Sequence, residues 1–468
     1  MPTKVQLVDW LEERSGRFTA MSDAIWREPQ LALKETFACK LQIDDLRVEG
    51  FKIRENVGGL PTAFVAEWGS GAPILGFVGE YDALPNLSQA DGADQHPLVP
   101  GGPGHGCGHN LLGTASLAAA VALKSWLEAT GRPGTVRYYG CPAEETITGK
   151  VFMARDGVFD DLDAALTWHP GWINTVSKGS SLAVDNLKFQ FHGKTAHAAM
   201  SPDLGRSALD AVELMNVGAN FLREHVADAV RIHYVITNGG GAPNVVPDEA
   251  EVWYFVRAPQ RWQVDEVTAR VRKVAQGAAL MTETTMTERY LCGAYNVLPN
   301  LFLADLAFTA MNEVGPLEFT DEEHAYARRI IAAYPESTRG PLLATVGLPQ
   351  SLLSESLLGG VYAALGEGKV MPGSTDVGDV SWITPTVSVE AATWALGVPA
   401  HSWGITATGA MSIGHKGMLH AAKTMALTAY ELFEDPSKLE RARAEFVAAT
   451  DGKAYQTPLP EGLQAVLP

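Results

Sequence analysis

Residues 105–130 read HGCGHNLLGTASLAAAVALKSWLEAT. From Leu111 to Ala129 the stretch is apolar nearly all round, which predicts a buried helix rather than a surface one. The six residues before it form a Gly-rich turn at the helix start, where thiol and imidazole side chains can point at one spot. Upstream, PILGFVGEYDALP predicts a strand ending near Gly79; downstream, TVRYYGCPAEE predicts one ending near Cys141, and DAALTWHP a third ending near Trp168. Strand, helix, strand in this order predicts an α/β fold with a mostly parallel sheet. Ligands of such sheets gather beyond the carboxyl ends of the strands. Each strand delivers polar residues there: Glu80 and Asp82, then Glu144 and Glu145, then His169.

The pattern changes after about residue 182. LAVDNLKFQFHG alternates like a half-buried strand, and SALDAVELMNVGANFLREHV reads as an amphipathic helix. RIHYVITNGG and EAEVWYFVRAP are strands again, and VDEVTARVRKVAQGAAL is a helix. This β-α-β-β-α order predicts a small α+β module at 182–294, inserted into a catalytic domain made of residues 1–181 and 295–468. In the last segment TDEEHAYARRIIAAY opens with a capping box from Thr320 to Glu323. Residues 335–372, rich in Gly, Pro, Ser and Leu, read as loops and short helices without an assignable role.

At 468 residues the chain exceeds the usual single core. A formal charge of −18 argues against nucleic acid or an anionic membrane as partner. MPTKVQLVDWLEERSGRF reads as a charged amphipathic helix, without the apolar core of a signal peptide. No apolar run approaches the roughly 20 residues that cross a bilayer. Cys39, Cys107, Cys141 and Cys292 lack disulfide-framework spacing, so a cytoplasmic protein with reduced thiols is expected.

Cys107 and His109, two apart on a turn, suit a metal better than a thiol nucleophile, which wants one positioned base. Taken singly, each piece has a plain structural reading: an inert buried thiol, solvated acids at Glu144 and Glu145, a packing histidine at His169. Together they bring thiolate, imidazole and carboxylate to one sheet edge, a set that fits zinc or a zinc/manganese-type pair. A second Glu beside a ligand Glu is placed to act as general base on a water.

With these motifs the chain resembles the aminoacylase/carboxypeptidase-like metallopeptidases and amidohydrolases that hold two metals, and within them the branch that hydrolyses aminobenzoyl-glutamate. The resemblance runs nearly the whole length, through GEYDALP (79–85), GHGCGHN (104–110), PAEE (142–145), WHP (168–170), GKTAHAA (193–199), APNVVPD (242–248), GSTDVGDVSW (373–382) and AHSWG (400–404). It implies Cys107, His109, Glu145, His169 and His401 as ligands of two divalent ions, Zn2+ or Mn2+, and Glu144 as general base. The inserted module would dimerise and cover the site; His197 would reach the partner's site and stabilise an oxyanion, while Asn244 would help hold substrate. Many relatives carry His-x-Asp where this chain has Glu80-Tyr81-Asp82, and Asp where it has Cys107; the amidohydrolase branch shares both changes. Glu80 and Asp82 then become candidates to orient a ligand histidine. His415, in IGHKGMLHAA, competes with His401 as the last ligand; HS after an apolar run favours His401. His105 is left over.

The resulting expectation is a metal-dependent amidohydrolase acting on an N-acyl amino acid, by resemblance p-aminobenzoyl-glutamate. It would be a homodimer, with a related second subunit as a further option. A dipeptidase acting on small or unusual dipeptides is the alternative, and a non-catalytic metal-binding protein the rival class; Glu144 speaks against the rival, because binding alone needs no base. A glutamate-bearing substrate needs a local cation, and among Lys194, Arg206 and Arg257 the start of a helix favours Arg206. The plain alternative is that Arg206 pairs with a surface acid such as Asp203 or Asp210.

Overall fold

A computed structural model describes residues 4–466; the first three and last two residues, which begin and end the predicted catalytic segments, lie outside it. The chain divides into two compact units. One comprises the residues up to Ser180 with Leu298–Lys369 and Asp379–Gln456; the other comprises Ser181–Val297, Val370–Gly378 and the stretch from Thr457 on.

The first unit is built on a seven-stranded sheet of β1 (Lys52–Glu55), β2 (Phe64–Ser70), β3 (Ile74–Glu80), β4 (Gly134–Cys141), β5 (Ala164–Gly171), β6 (Thr175–Val176) and β11 (Thr386–Ala392), in the order β1-β2-β4-β3-β5-β11-β6. Its centre, β4-β3-β5-β11, is parallel. β1 and β2 flank it antiparallel on one side and β6 on the other. Helix His109–Thr130 is the crossover from β3 to β4 and packs on β3 and on helix Ser412–Glu434. Its many alanines let both neighbours approach closely, which is why it is buried almost all round. Trp168 Nε1 donates to Leu112 O at 2.9 Å and Ser116 Oγ to Val78 O at 2.8 Å, tying helix to sheet. At Gly113 a Cβ would lie 2.5 Å from Glu80 O, so only glycine lets the first helical turn sit on the end of β3.

The parallel register aligns the strand ends, Glu80 with Cys141 and Gly171 with Ala392. The loops that follow therefore start from one edge. The segment after residue 335 holds a helix, Glu336–Thr345, and a 3-10 turn, Gln350–Ser354. It then runs beside β6 through bridges Asn174–Val361 and Ser177–Leu365. The Thr320 capping box is present, with Thr320 N–H donating to Glu323 at 2.7 Å. Among the described residues no helix is long and apolar enough to cross a membrane.

The second unit has an antiparallel sheet of β7 (Ala183–His192), β8 (Arg231–Asn238), β9 (Glu249–Ala258) and β10 (Thr285–Ala294), ordered β10-β7-β9-β8. Helices Ala208–Leu222 and Arg261–Met281 pack on one face through Leu187, Phe189, Val252, Tyr254, Met215 and Val271. The alternation read along β9 is the burial seen. β10 was not expected from the sequence. Its first half, TMTERY, alternates threonine with charge instead of apolar with polar, and the register shifts between Tyr290 and Cys292.

Candidate active site

The turn before helix His109–Thr130 places Cys107 and His109 on one side of Gly108, whose φ of 88° is left-handed. A Cβ at Gly108 would meet the Pro170 ring at 3.0 Å, so the turn depends on glycine for space as well as conformation. Cys107 Sγ lies 3.3 Å from His169 Nε2. His169 Nδ1 donates to Pro170 O at 2.7 Å, which leaves Nε2 as the lone-pair end facing the thiol. His109 Nδ1 donates to Asp82 Oδ1 at 2.9 Å, which aims Nε2 at the site in the same way. Asp82 Oδ2 accepts the backbone N–H of Glu145 at 2.9 Å, so one buried carboxylate fixes both an imidazole and the glutamate loop.

Glu145 lies between two imidazoles, 4.0 Å from His109 Nε2 and 3.4 Å from His401 Nε2. His401 N–H donates to Gly106 O at 2.9 Å, drawing the C-terminal loop onto the Cys107 turn. His415 points elsewhere and pairs with Asp23 at 2.8 Å. Three overlapping groups keep their donor atoms within 4.8 Å of one another: Cys107, His109 and His169; Cys107, Glu145 and His401; Glu80, His109 and Glu144. Asp82 orients His109, as a partner of a ligand would. Glu80 has moved further in: it lies 3.4 Å from the Nε2 side of His109 and pairs with the fully buried Lys150 at 2.7 Å. His105 is buried with both ring nitrogens lacking a hydrogen-bond partner and belongs to none of the groups.

The electrostatics fit a cation. Burial pushes the Cys107 thiol up to about 12, reinforced by the charge of Glu145. Burial likewise raises Glu145 to about 7. Burial, then the charge of His109, lowers His169 to about 4, and the same causes lower His401. His109 is raised, because Cys107 and Asp82 outweigh the burial that opposes its charge. A divalent ion reverses this ordering, since it favours thiolate, carboxylate and neutral imidazole. The buried His109 Nε2 and Glu145 Oε1 have no hydrogen-bond partner, and both belong to the donor groups. Sulfur, nitrogen and oxygen donors of this kind suit zinc-like ions.

Set against known proteins, the chain matches the model of the peptidase dimerisation domain over residues 184–282. It is 45% identical to one of the two subunits of p-aminobenzoyl-glutamate hydrolase of Escherichia coli, over 97% of both chains. The chain belongs to that metallopeptidase and amidohydrolase family. The family enzyme is a hydrolase of linear amide bonds. Among other members, Xaa-Arg dipeptidase of Mus musculus is 29% identical over 95% of this chain and 92% of its own. The fold is that of a Bacillus subtilis dinuclear metal-binding peptidase, with a TM-score of 0.58 and 18% identity over 90% of this chain and 99% of that one.

The dimerisation module carries the remaining predicted residues. His197 is exposed, and its Nδ1 accepts the N–H groups of Ala199 and Met200 at 3.2 and 3.1 Å, so the ring proton sits on Nε2. A bridge between His197 and Val245, and a hydrogen bond from Ala198 N–H to Asn244 O at 3.0 Å, bring the GKTAHAA and APNVVPD motifs side by side. Arg206 pairs with Glu283 at 2.9 Å and also donates to Asp203 O at 3.1 Å. The acid is thus neither Asp203 nor Asp210. Arg257, by contrast, has a buried Nε without a hydrogen-bond partner. Burial lowers its pKa with no carboxylate opposing.

Glu35 and Lys150 escaped the sequence reading. Glu35 is buried, and it accepts Ala143 N–H at 2.9 Å and the Thr62 hydroxyl at 2.8 Å. An acid at a helix start and a lysine within TGKVFMAR both read as solvated, and nothing local marks them as buried.

Proposed function

We propose that the chain is a metal-dependent amidohydrolase that cleaves the amide bond of an N-acyl amino acid, with p-aminobenzoyl-glutamate as the leading substrate. The observation that carries this reading is the gathering of Cys107, His109, Glu145, His169 and His401 with Glu144 beside them. Those five would hold a pair of divalent ions, Zn2+ or Mn2+; the Bacillus subtilis peptidase is likewise a binder of two metals. When bound, such ions supply Lewis acidity, which acidifies water and polarises a carbonyl oxygen. Glu144 takes a proton from the attacking water and returns it to the leaving amine. His197, with its proton on Nε2, donates to the developing oxyanion across a homodimer. Asn244 helps to hold the substrate.

For the substrate carboxylate Arg206 is the proposed reader, and a bound carboxylate must compete with Glu283 for it. Arg257 meets no such competition, so the two are tested together. The Escherichia coli relative is one of two named subunits of its hydrolase, which supports a related second subunit here. The four cysteines form no disulfide, which supports a reducing, cytoplasmic setting. A dipeptidase is the second reading, favoured by the likeness to Xaa-Arg dipeptidase.

The deciding experiment is a hydrolysis panel of acyl-glutamates, acyl amino acid amides and dipeptides with metal-loaded enzyme. Glu144→Gln is expected to keep metal yet lose about 10²–10⁴-fold in rate. Mixing dead His197→Ala and Glu144→Gln chains is expected to restore activity if His197 serves the partner. Arg206→Ala or Arg257→Ala should raise KM for acyl-glutamates selectively. Cleavage of dipeptides alone would replace the first reading with the second, and activity in Glu144→Gln would remove the base.

A further inference from the structure

Glu390 is a carboxylate that the proposed reaction leaves unused. It lies on β11, paired in register with His169 of β5 on one side and Thr175 of β6 on the other. Residues paired in register project to the same face of a sheet. The preceding pair, Val389 and Trp168, is buried in the core with the His109–Thr130 helix, so Glu390 and His169 share the opposite face. Neighbouring strands lie about 4.8 Å apart, which puts Glu390 one strand from a proposed metal ligand. Beside it on β5 is Gly171, where a Cβ would stand 3.4 Å from the Glu390 carboxyl carbon and 3.6 Å from Oε1. The missing side chain leaves that flank of the carboxylate open.

Among the described residues Glu390 makes no hydrogen bond or ion pair. It is partly buried, and burial alone pushes it up to about 7, with no neighbouring charge to offset the cost. Nearby acids have their needs met: Glu80 by Lys150, Asp82 by His109 and the Glu145 N–H. A desolvated carboxylate without a donor is unfavourable unless a ligand brings one. An acyl-glutamate carries carboxylates at its amino-acid end, and these are repelled by Glu390. The acyl end faces it instead.

We propose that Glu390 is the acceptor of a subsite for a hydrogen-bond-donating amine on the acyl side of the scissile amide. For an arylamine this rests on the aminobenzoyl-glutamate reading; the ammonium of an aminoacyl dipeptide offers the same donor chemistry. Either amine approaches over Gly171 and meets a carboxylate held on a rigid strand beside the metal-ligand set.

The test reads binding, so it does not depend on turnover. Metal-loaded Glu144→Gln protein, with and without Glu390→Leu, is titrated calorimetrically with two ligand pairs. These are 4-aminobenzoyl-glutamate against benzoyl-glutamate, and alanyl-glutamate against propionyl-glutamate. Each pair differs by one amine. Glu390→Leu is expected to weaken an amine-bearing ligand about ten- to a hundredfold and to leave its amine-free partner within about twofold. Glu390→Gln, which keeps an acceptor oxygen, should retain most of the arylamine preference. Both variants remove an unpaired charge and should melt no lower than the parent, which checks folding. A response in the arylamine pair sustains both proposals. A response in the ammonium pair alone sustains the Glu390 subsite and overturns the aminobenzoyl reading. Equal affinities within both pairs, equal losses, or no binding of any ligand overturn the subsite, while hydrolysis of benzoyl-glutamate by the wild type judges the activity separately.

Discussion

Glu35 accepts the backbone N–H of Ala143 at 2.9 Å, immediately before the glutamate pair. Ala143 has a φ of 58°, so the chain turns a left-handed corner there, and Glu35 also holds Leu33 N–H at 2.9 Å. Glu35→Ala leaves these donors unsatisfied, at about 1–3 kcal/mol each. It should also lower kcat about 10- to 100-fold by misplacing Glu144. Glu35→Gln keeps an acceptor and should retain most activity. Comparing kcat and melting midpoint across the two variants checks this; equal losses would mean that charge, not the acceptor, matters.

Asp82 serves His109 and the Glu145 N–H with its two oxygens. Asp82→Asn presents an NH2 group to one of those donors. Metal affinity, read by competition with a chromophoric chelator, should fall about 10- to 100-fold, as for other partners of ligand histidines. Unchanged affinity would show that His109 needs no orienting group.

Lys150 and Glu80 form a fully buried ion pair at 2.7 Å. Lys150→Met strands a buried carboxylate and should destabilise the chain by about 3–5 kcal/mol. The double variant Lys150→Met/Glu80→Gln should recover most of that in urea unfolding. Failure to recover would mean that Lys150 stabilises through something other than Glu80.

His420 is buried; its Nε2 donates to Gly315 O at 2.8 Å, and burial lowers it to about 4. Its unfolded value is about 6.5, so between these values the unfolded chain binds the extra proton. The stability contributed by the neutral imidazole is therefore present above pH 6.5 and lost as pH falls toward 4. The difference in unfolding free energy between wild type and His420→Gln should shrink by about 3 kcal/mol across that window. A constant difference would place the folded value near that of the unfolded chain.

The crossover from β3 to β4 was legible because Leu111–Ala129 has no polar face, and a helix without one must be buried. Cys107, His109, Glu145 and His169 were legible because glycines and strand ends bracket them. β10 was not, since threonine alternating with charge leaves no apolar trace. The Arg206–Glu283 pair joins residues 77 apart, and the burial of Glu35, Lys150 and Glu390 is created by elements distant in the chain. Periodicity reports which face is apolar; it is silent about which charged side chain the fold will enclose.

The donor set is reached through left-handed corners at Gly108, Ala143 and His401, with φ of 88°, 58° and 56°. Glycine adopts such angles freely, but Ala143 and His401 each cost on the order of 1–2 kcal/mol. Heat tolerance and turnover therefore pull in opposite directions at these positions. Ala143→Gly should raise the melting midpoint while it loosens the paired glutamates. A laboratory population selected for heat resistance alone would be drawn first to this corner, and its survivors would be sturdier, slower catalysts.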